Sequence, residues 1–486
     1  MANFGLLIDT YSSSWVNQVR RAKPKYPATL GPSTLMVSFR AVLATAVAFS
    51  AVFLAVPAAA PAAAADHVPG QLVVKYRLGT SGAEREEIRR AAGVRSAGMV
   101  DGRTQAVQVV GQRTTGEAEA KLEADPRVVH ALPNYRAKAT AFIPNDPGRG
   151  RPGDWAKLQW NFAGPWGVDA PDAWQNAIDA GAPGGAGVIV AVLDTGVAYR
   201  TSRGGAFPKS PDLARKRFVP GHDFVLGSGR PFDRNGHGTF VAGLISQSTN
   251  NGIGVTGLAY KTRIMPVRVL DYEGKGDVST IARGIRFATR HHAKIINMSF
   301  EFDIGLTASE IPDVISALRR ANRSGALLVA AAGNTEDTKV AYPARAKHTI
   351  AVGATTEHGC LAEYSNTGPG LDIVAPGGGA DAAIDGDPNC RPLEDPGRDV
   401  YQYTFRGTSP RRFGLPGGYE GTSMAVPHVA ATAALIVGER LLGPNPSPEA
   451  LTARLEGTAR DLGKPGPDDL YGYGLLNAAA ATAPIR

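Results

Sequence analysis

The chain reads as α/β, with a doubly wound, mostly parallel sheet preceded by a small α+β unit. Three observations predict this. After Gly187, short apolar runs alternate with helix-period segments. Those runs are apolar throughout rather than every second residue, which is the pattern of strands buried on both faces of a helix-covered parallel sheet. Before them, residues 66–138 follow their own β-α-β-α-β rhythm, which suggests a compact unit with an antiparallel sheet. At 486 residues the chain has room for both.

The first element is not part of either unit. Met36-Val37-Ser38-Phe39-Arg40 precedes an apolar stretch from Ala41 to Val56, and alanines then lead to Ala63-Ala64-Ala65-Asp66. A basic start, an apolar middle and an Ala-x-Ala end describe a secretory signal over 36–65. Sixteen residues, rich in alanine, are short for a membrane span. The expectation is therefore cleavage, a secreted (extracellular) product and no stable membrane association; an uncleaved anchor is the alternative. Residues 1–35 fit no export signal, and we expect translation to begin at Met36.

In the α+β unit, Gln71–Tyr76 alternates as a strand and Ala83–Ala92 reads as a charged helix. Ala106–Val110 is a strand, Glu117–Ala124 a helix, and Val128–Tyr135 a closing strand. Residues 139–153, rich in Pro, Gly and Arg, read as a linker. In the large unit, 154–486, strands are expected at Val188–Leu193, Arg263–Leu270, Lys294–Met298, Ala326–Ala331, Thr349–Val352 and Asp372–Ala375. Helices are expected at His237–Gln247, Val278–His292, Ala308–Ser324 and Ser423–Leu442. The stretch 377–419, rich in Gly, Pro, Asp and Arg, is long for a structureless loop; it either walls a cleft or forms solvated surface.

Composition excludes some partners. The net charge is +8, but the basic residues are scattered and no Lys/Arg run carries interleaved aromatics, so nucleic-acid binding is not expected. Cys360 and Cys390 show neither a C-x-x-C nor a zinc spacing. In an exported protein they can close one loop, worth about 3 kcal/mol in the chain-entropy model. Two free thiols are the alternative. No H-E-x-x-H is present, against a metalloprotease.

Three segments carry chemistry. Val188-Ile189-Val190-Ala191-Val192-Leu193-Asp194-Thr195-Gly196 is an apolar strand ending in an aspartate. Asn235-Gly236-His237-Gly238-Thr239-Phe240-Val241-Ala242-Gly243 puts a histidine at a helix start. Gly421-Thr422-Ser423-Met424-Ala425-Val426-Pro427-His428-Val429-Ala430 puts a serine between a tight glycine turn and a long apolar helix. A serine there has a backbone N–H without an intrahelical partner, free to meet an anion. In doubly wound folds, strand C-termini and helix N-termini are where active sites form.

The order Asp, His, Ser in these three contexts resembles the subtilisin-like serine peptidases, the subtilases, from about Trp155 to Ala483. The resemblance implies a subtilisin-like peptidase domain and a secreted serine endopeptidase that acts on proteins or peptides. In it, Ser423 attacks the scissile carbonyl, His237 moves the proton and Asp194 orients the imidazole. It implies that 66–138 is an inhibitory, ferredoxin-like pro-domain that makes the chain a zymogen. Asn334, ending Leu327-Leu328-Val329-Ala330-Ala331-Ala332-Gly333-Asn334, matches the family asparagine that donates to the oxyanion, with the Ser423 N–H as second donor.

Substrate main chain would pair with Gly274–Gly276 beside Asp277, and with Ser299–Phe302. At the second segment the family shows Ser-Leu-Gly-Gly, whereas this chain has Ser299-Phe300-Glu301-Phe302. Glu301, with Asp303 on the same strand face, either favours Lys or Arg in the substrate or points to solvent. Thr249-Asn250-Asn251-Gly252-Ile253-Gly254-Val255 matches the family's calcium loop. The resemblance implies a structural Ca²⁺ held by Thr249, Asn251, Ile253, Val255 and Asp212, a hard-oxygen set; an Asn-Gly turn and a capping Asp are the alternative. No organic cofactor is implied. His291-His292 and His428 read as structural. A catalytically silent binding protein is the alternative function. An α/β-hydrolase esterase is excluded by chain order and by the absence of a glycine two places after Ser423.

Overall fold

The computed structural model describes residues 67–135, 142–384, 387–390 and 397–485. The expected signal segment and residues 1–35 lie outside the described residues. Two compact units part between Arg136 and Ala137.

In the first unit the elements are β1 (His67–Tyr76), α1 (Gly82–Ala92), β2 (Val94–Met99), β3 (Thr104–Val109), α2 (Thr115–Glu123) and β4 (Val128–Tyr135). The sheet is antiparallel, in the order β2-β3-β1-β4. This is the β-α-β-β-α-β arrangement of ferredoxin-like units. Strand β2 has no counterpart in the sequence pattern because only Val94 of it is buried; its pairing with β3, not a hydrophobic stripe, makes it a strand. Both helices open with capping boxes, Ser81 with Glu84 and Thr114 with Glu117, which satisfy orphan N–H groups reciprocally. Leu72, Val74, Ile88, Leu122 and Ala131 form the core.

The second unit runs α3 (Trp155–Leu158), α4 (Trp160–Ala163), α5 (Ala170–Asp179), β5 (Ile189–Asp194), β6 (His222–Asp223), α6 (His237–Ser246) and β7 (Arg263–Arg268). It continues with α7 (Val278–Arg290), β8 (Ile295–Met298), α8 (Pro312–Arg323), β9 (Leu327–Ala331), β10 (Thr349–Thr355) and β11 (Ile373–Pro376). A hairpin of β12 (Thr404–Arg406) and β13 (Ser409–Gly414) follows, then α9 (Thr422–Glu439), α10 (Pro448–Gly457) and α11 (Ala478–Thr482).

Seven strands pair in parallel in the order β11-β10-β9-β8-β5-β7-β6. The continuous apolar runs have a direct cause. In β5, Val190 and Val192 face a core built with α5, α6 and α9, while Ala191 and Leu193 face a second core built with α7 and α8. Successive side chains alternate faces, so a sheet covered on both sides has no polar position to spare.

Residues 145–153 read as linker by composition, yet they are tied to the loop around 250. Asp146 is fully buried and accepts from the Asn250 and Asn251 N–H groups, and the Gly148 N–H reaches the Gly254 carbonyl. Pro and Gly predict irregular backbone; they do not predict whether that backbone is anchored by tertiary hydrogen bonds. The 377–419 stretch is likewise not simply solvated. Val400, Gln402, Thr404 and Phe405 are buried, the Thr404 hydroxyl donates to the Gly236 carbonyl at 2.7 Å, and Tyr419 stacks on Phe240 at 4.2 Å. Cys360 and Cys390 are joined as a disulfide that ties this stretch to the turn after β10.

Helix α9 is apolar almost all round and is buried from Met424 to Ile436. Within it His428 is fully buried. Its Nδ1 meets the Met424 carbonyl at 2.8 Å, its Nε2 meets the Asn161 amide at 2.8 Å, and Phe162 packs edge-on. A carbonyl on Nδ1 requires a proton there, and the amide N–H on Nε2 requires a lone pair, so the ring is neutral. Burial accordingly pushes its pKa down to about 4.

That depression makes stability fall with acid. The unfolded ring titrates near 6.5, so its contribution is complete above that pH and is lost as pH drops toward about 4. At 1.36 kcal/mol per unit, the loss is at most about 3 kcal/mol. With the enzyme inactivated by a fluorophosphonate to stop autolysis, His428→Gln should melt lower than wild type at pH 7. The gap should narrow by pH 4.5. A gap independent of pH would show that the ring's protonation is not the cause.

Candidate active site

Asp194 is the last residue of β5 and is fully buried. Its Oδ1 accepts from the Thr195 N–H at 2.7 Å, and its two oxygens lie 2.8 and 3.0 Å from His237 Nδ1. A carboxylate on Nδ1 requires the proton there and leaves the Nε2 lone pair as the base.

His237 opens α6 behind Gly236, which caps the helix at φ 110°. The approach of helix to strand is possible because residue 238 is glycine. A Cβ there would stand 2.2 Å from the Gly196 carbonyl oxygen and 3.0 Å from Asp194 Oδ1. Asp233 holds the turn: it accepts from the N–H groups of Asn235, Gly236 and Thr239 and from the Thr195 and Thr239 hydroxyls. Burial of the ring opposes the imidazolium, but the Asp194 carboxylate, with Asp233 behind it, outweighs that and holds the His237 pKa above its ordinary value. Asp233 was not singled out from sequence; its place four residues before the histidine was the available signal.

Ser423 is the second residue of α9, so its N–H has no helical partner. Gly421 takes φ 139° at the cap, and its N–H points at the Tyr364 hydroxyl (2.9 Å) and the Gly377 carbonyl (3.1 Å). The Ser423 hydroxyl donates to the Ser299 carbonyl at 3.0 Å. Ser299 lies just beyond β8, and Asn334 just beyond β9. Asp194, Ser299 and Asn334 thus leave the C-terminal ends of three adjacent strands, β5, β8 and β9.

Asn334 has one end anchored. Its Oδ1 accepts from the Thr422 N–H at 2.7 Å and the Thr422 hydroxyl at 2.9 Å. A backbone N–H can only donate, so the atom it meets is the carbonyl oxygen and the amide nitrogen is the free end. Glu301 turns toward the Asn334 loop rather than into open solvent. It is half-buried, and its Oε2 accepts from the Asn334 backbone N–H at 2.9 Å. Asp303 is exposed.

The other candidates lie as follows. Gly274 and Gly276 are exposed in the turn before α7, which Asp277 caps through the Thr280 N–H. Ser299 is buried, and the Phe300 side chain packs into the core with α7 and α8, leaving its backbone as what it can offer a substrate. Asp212, from the segment 210–213, is fully buried against the loop 249–255. One oxygen accepts from the Asn251 amide at 2.8 Å and the other has no hydrogen bond. Burial pushes its carboxyl up to about 8. At Gly254 a Cβ would sit 2.4 Å from that second oxygen, so the loop closes around it only with glycine there. A buried carboxylate oxygen with no hydrogen bond is a ligand type that suits a hard cation.

Known proteins resemble this chain. The subtilase family matches residues 185–474, and the fervidolysin N-terminal prodomain matches residues 54–134. The thermostable alkaline protease of Halalkalibacterium halodurans is 37% identical over 318 residues, 65% of this chain and 73% of that protein. Subtilisin BL of Lederbergia lenta is 36% identical over 321 residues, 65% of this chain and 98% of its own length. A solved protease structure from Pseudoalteromonas arctica superposes with a TM-score of 0.56 at 29% identity, over 70% of this chain and 99% of that one. With the family covering more than half of its length and a prodomain of the same kind ahead of it, this chain belongs to the subtilase family and is a serine endopeptidase.

Proposed function

We propose that this is a secreted, self-processing endopeptidase that cleaves peptide bonds through an Asp194–His237–Ser423 triad and an acyl-enzyme. One arrangement carries the reading: both Asp194 oxygens hold His237 Nδ1, which leaves Nε2 free as base at a helix start. His237 would take the Ser423 proton and return it to the leaving amine, while Asp194 stabilises the imidazolium. The Asn334 amide and the Ser423 N–H would meet the oxyanion. The Ser423 hydroxyl donates to the Ser299 carbonyl and would have to turn away from it to engage His237. Its present orientation is what favours a silent protein. Labelling by a fluorophosphonate decides between the two, since a silent protein leaves Ser423 unmodified.

Residues 36–65 act as the signal and 66–138 as an inhibitory pro-domain released by cleavage near the start of the linker 139–153, which stays with the peptidase domain 154–486. Gly274, Gly276, Ser299, Phe300 and Glu301 border the extended substrate. Among the described residues no helix is long and apolar enough to cross a membrane. Ca²⁺ would be held by Asp212, the Asn251 side chain and the carbonyls of Thr249, Ile253 and Val255. When bound, it neutralises a buried carboxylate and cross-links the loop.

Three outcomes are expected. His237→Ala and Ser423→Ala should each reduce kcat by about 10⁶, and the double variant should be no worse, because one proton-transfer unit is lost once. Asn334→Ala should lose about 10²–10³ in kcat with KM little changed, the range seen in a subtilisin. Peptide hydrolysis measures both, on protein freed of residues 66–138, with total protein as the reference for the triad variants and active-site titration for Asn334→Ala; a loss confined to KM would remove Asn334 from the oxyanion role.

Ser423→Ala should accumulate as a precursor that keeps residues 66–138. Mass spectrometry of purified protein checks this, and normal maturation of the variant would exclude self-cleavage.

A chelator should lower the melting temperature of inactivated enzyme by about 4–6 °C, the effect of a ligand present at about 100–1,000 times its Kd on a domain of this size. Asp212→Asn should melt lower from the start and respond little to the chelator. An equal response in both proteins would place the bound ion elsewhere.

A further inference from the structure

We propose that Glu301 is a positioning residue of the oxyanion site: it holds the main chain of Asn334 so that the side-chain amide is presented to the reacting carbonyl oxygen. The proposal rests on the reading of Asn334 as an oxyanion donor.

Asn334 sits in an exposed position two residues past Ala332, the last residue before it that is hydrogen-bonded to β10. A donor on such a loop is useful only if its direction is fixed before the charge develops. Two contacts fix it. Thr422 holds the side-chain oxygen, and Glu301 Oε2 holds the backbone N–H. One contact alone leaves a rotation about the other, so the pair is what sets the direction of the free amide nitrogen.

Glu301 is itself firmly placed. Before it, Phe300 is buried and the Ser299 carbonyl receives the Ser423 hydroxyl; after it, the Phe302 N–H donates to the Tyr342 carbonyl at 2.7 Å. One short segment therefore touches both the nucleophile and the oxyanion donor. The carboxylate lies over Gly333, where a Cβ would come within 2.5 Å of Oε2 and 2.2 Å of Asn366 Nδ2. From the other side, Asn366 donates its N–H to the Gly333 carbonyl and accepts from the Thr335 N–H on Oδ1. The turn 333–335 is thus bracketed by two side chains, with glycine at φ 121° as the residue that admits both. Among the described residues no basic side chain forms an ion pair with Glu301. Burial raises its carboxyl above the usual range while the Asn334 N–H acts in the opposite direction.

The resembled pattern has glycine at this position, which offers no side chain for such a contact. Glycine there lets the backbone approach; glutamate exchanges that for a second anchor on the oxyanion loop.

The test is a double-mutant cycle on processed enzyme, with active concentration set by fluorophosphonate titration. Glu301→Ala should lower kcat about 10-fold with KM within about 2-fold, since a donor displaced by a fraction of an ångström loses part of its effect. Glu301→Gln keeps an acceptor and should recover kcat to within about 3-fold of wild type, at a similar melting temperature. In an Asn334→Ala background, Glu301→Ala should cost less than about 2-fold, because the group it positions is gone. The proposal is overturned if Glu301→Ala leaves kcat unchanged, acts on KM, or costs the same in both backgrounds. It is equally overturned if the glutamine variant is as poor as alanine. If Asn334→Ala itself keeps full kcat, the failure belongs to the oxyanion reading instead.

Discussion

The site depends on how closely helix α6 can come to the end of strand β5. Asp194 and His237 belong to different elements, and 2.8 Å between them leaves no room for a side chain at residue 238. Glycine there sets the separation, and Asp233 sets the angle by collecting the helix-start N–H groups and the Thr195 hydroxyl. A buried carboxylate without a basic partner is costly unless it is fully hydrogen-bonded. Asp233 accepts five hydrogen bonds, so the arrangement is stable in the low-dielectric interior.

The parallel sheet then does the gathering. Adjacent strands run the same way, so the residues that leave β5, β8 and β9 emerge side by side, and the start of α9 is lodged against them. Thr422 is the joint: its N–H and hydroxyl bind Asn334, and its hydroxyl receives the Gly333 N–H at 3.4 Å. Asn334 and the start of α9 are consequently tied together, although 89 residues separate Asn334 from Ser423 in the chain (423 minus 334). The 377–419 stretch reinforces the other side, where Thr404 and Tyr419 close over the cap and first turn of α6.

Acids recur around the candidate site: Asp194 and Asp233, both buried, beside His237, the half-buried Glu301 beside Asn334, and the buried Asp212 against the loop 249–255. Their environments divide them. Asp233 is saturated by donors, Glu301 has a main-chain N–H, and Asp212 keeps an oxygen with no partner. A carboxylate thus organises a helix start, holds a loop or keeps a free oxygen according to how many donors surround it.

Much was legible in the sequence. Continuous apolar runs read correctly as parallel strands because both sheet faces are covered. The residues that begin α6 and α9 read as helix starts because glycine and an abrupt change of period mark them. Strand β2 was not legible, having one buried residue, nor was the anchoring of residues 145–153, which rests on hydrogen bonds to a loop a hundred positions away. Glu301 is the clearest case. Its chemistry and its departure from the resembled pattern were plain, but not its direction, because a side chain's partner is chosen by packing between distant segments. By itself the sequence determined the sheet, the helix starts and the chemical identity of Asp194, His237, Ser423 and Asn334. Only the tertiary structure decided what each carboxylate holds, since hydrogen-bond partners brought together across 30 or more residues leave no periodic trace in the chain.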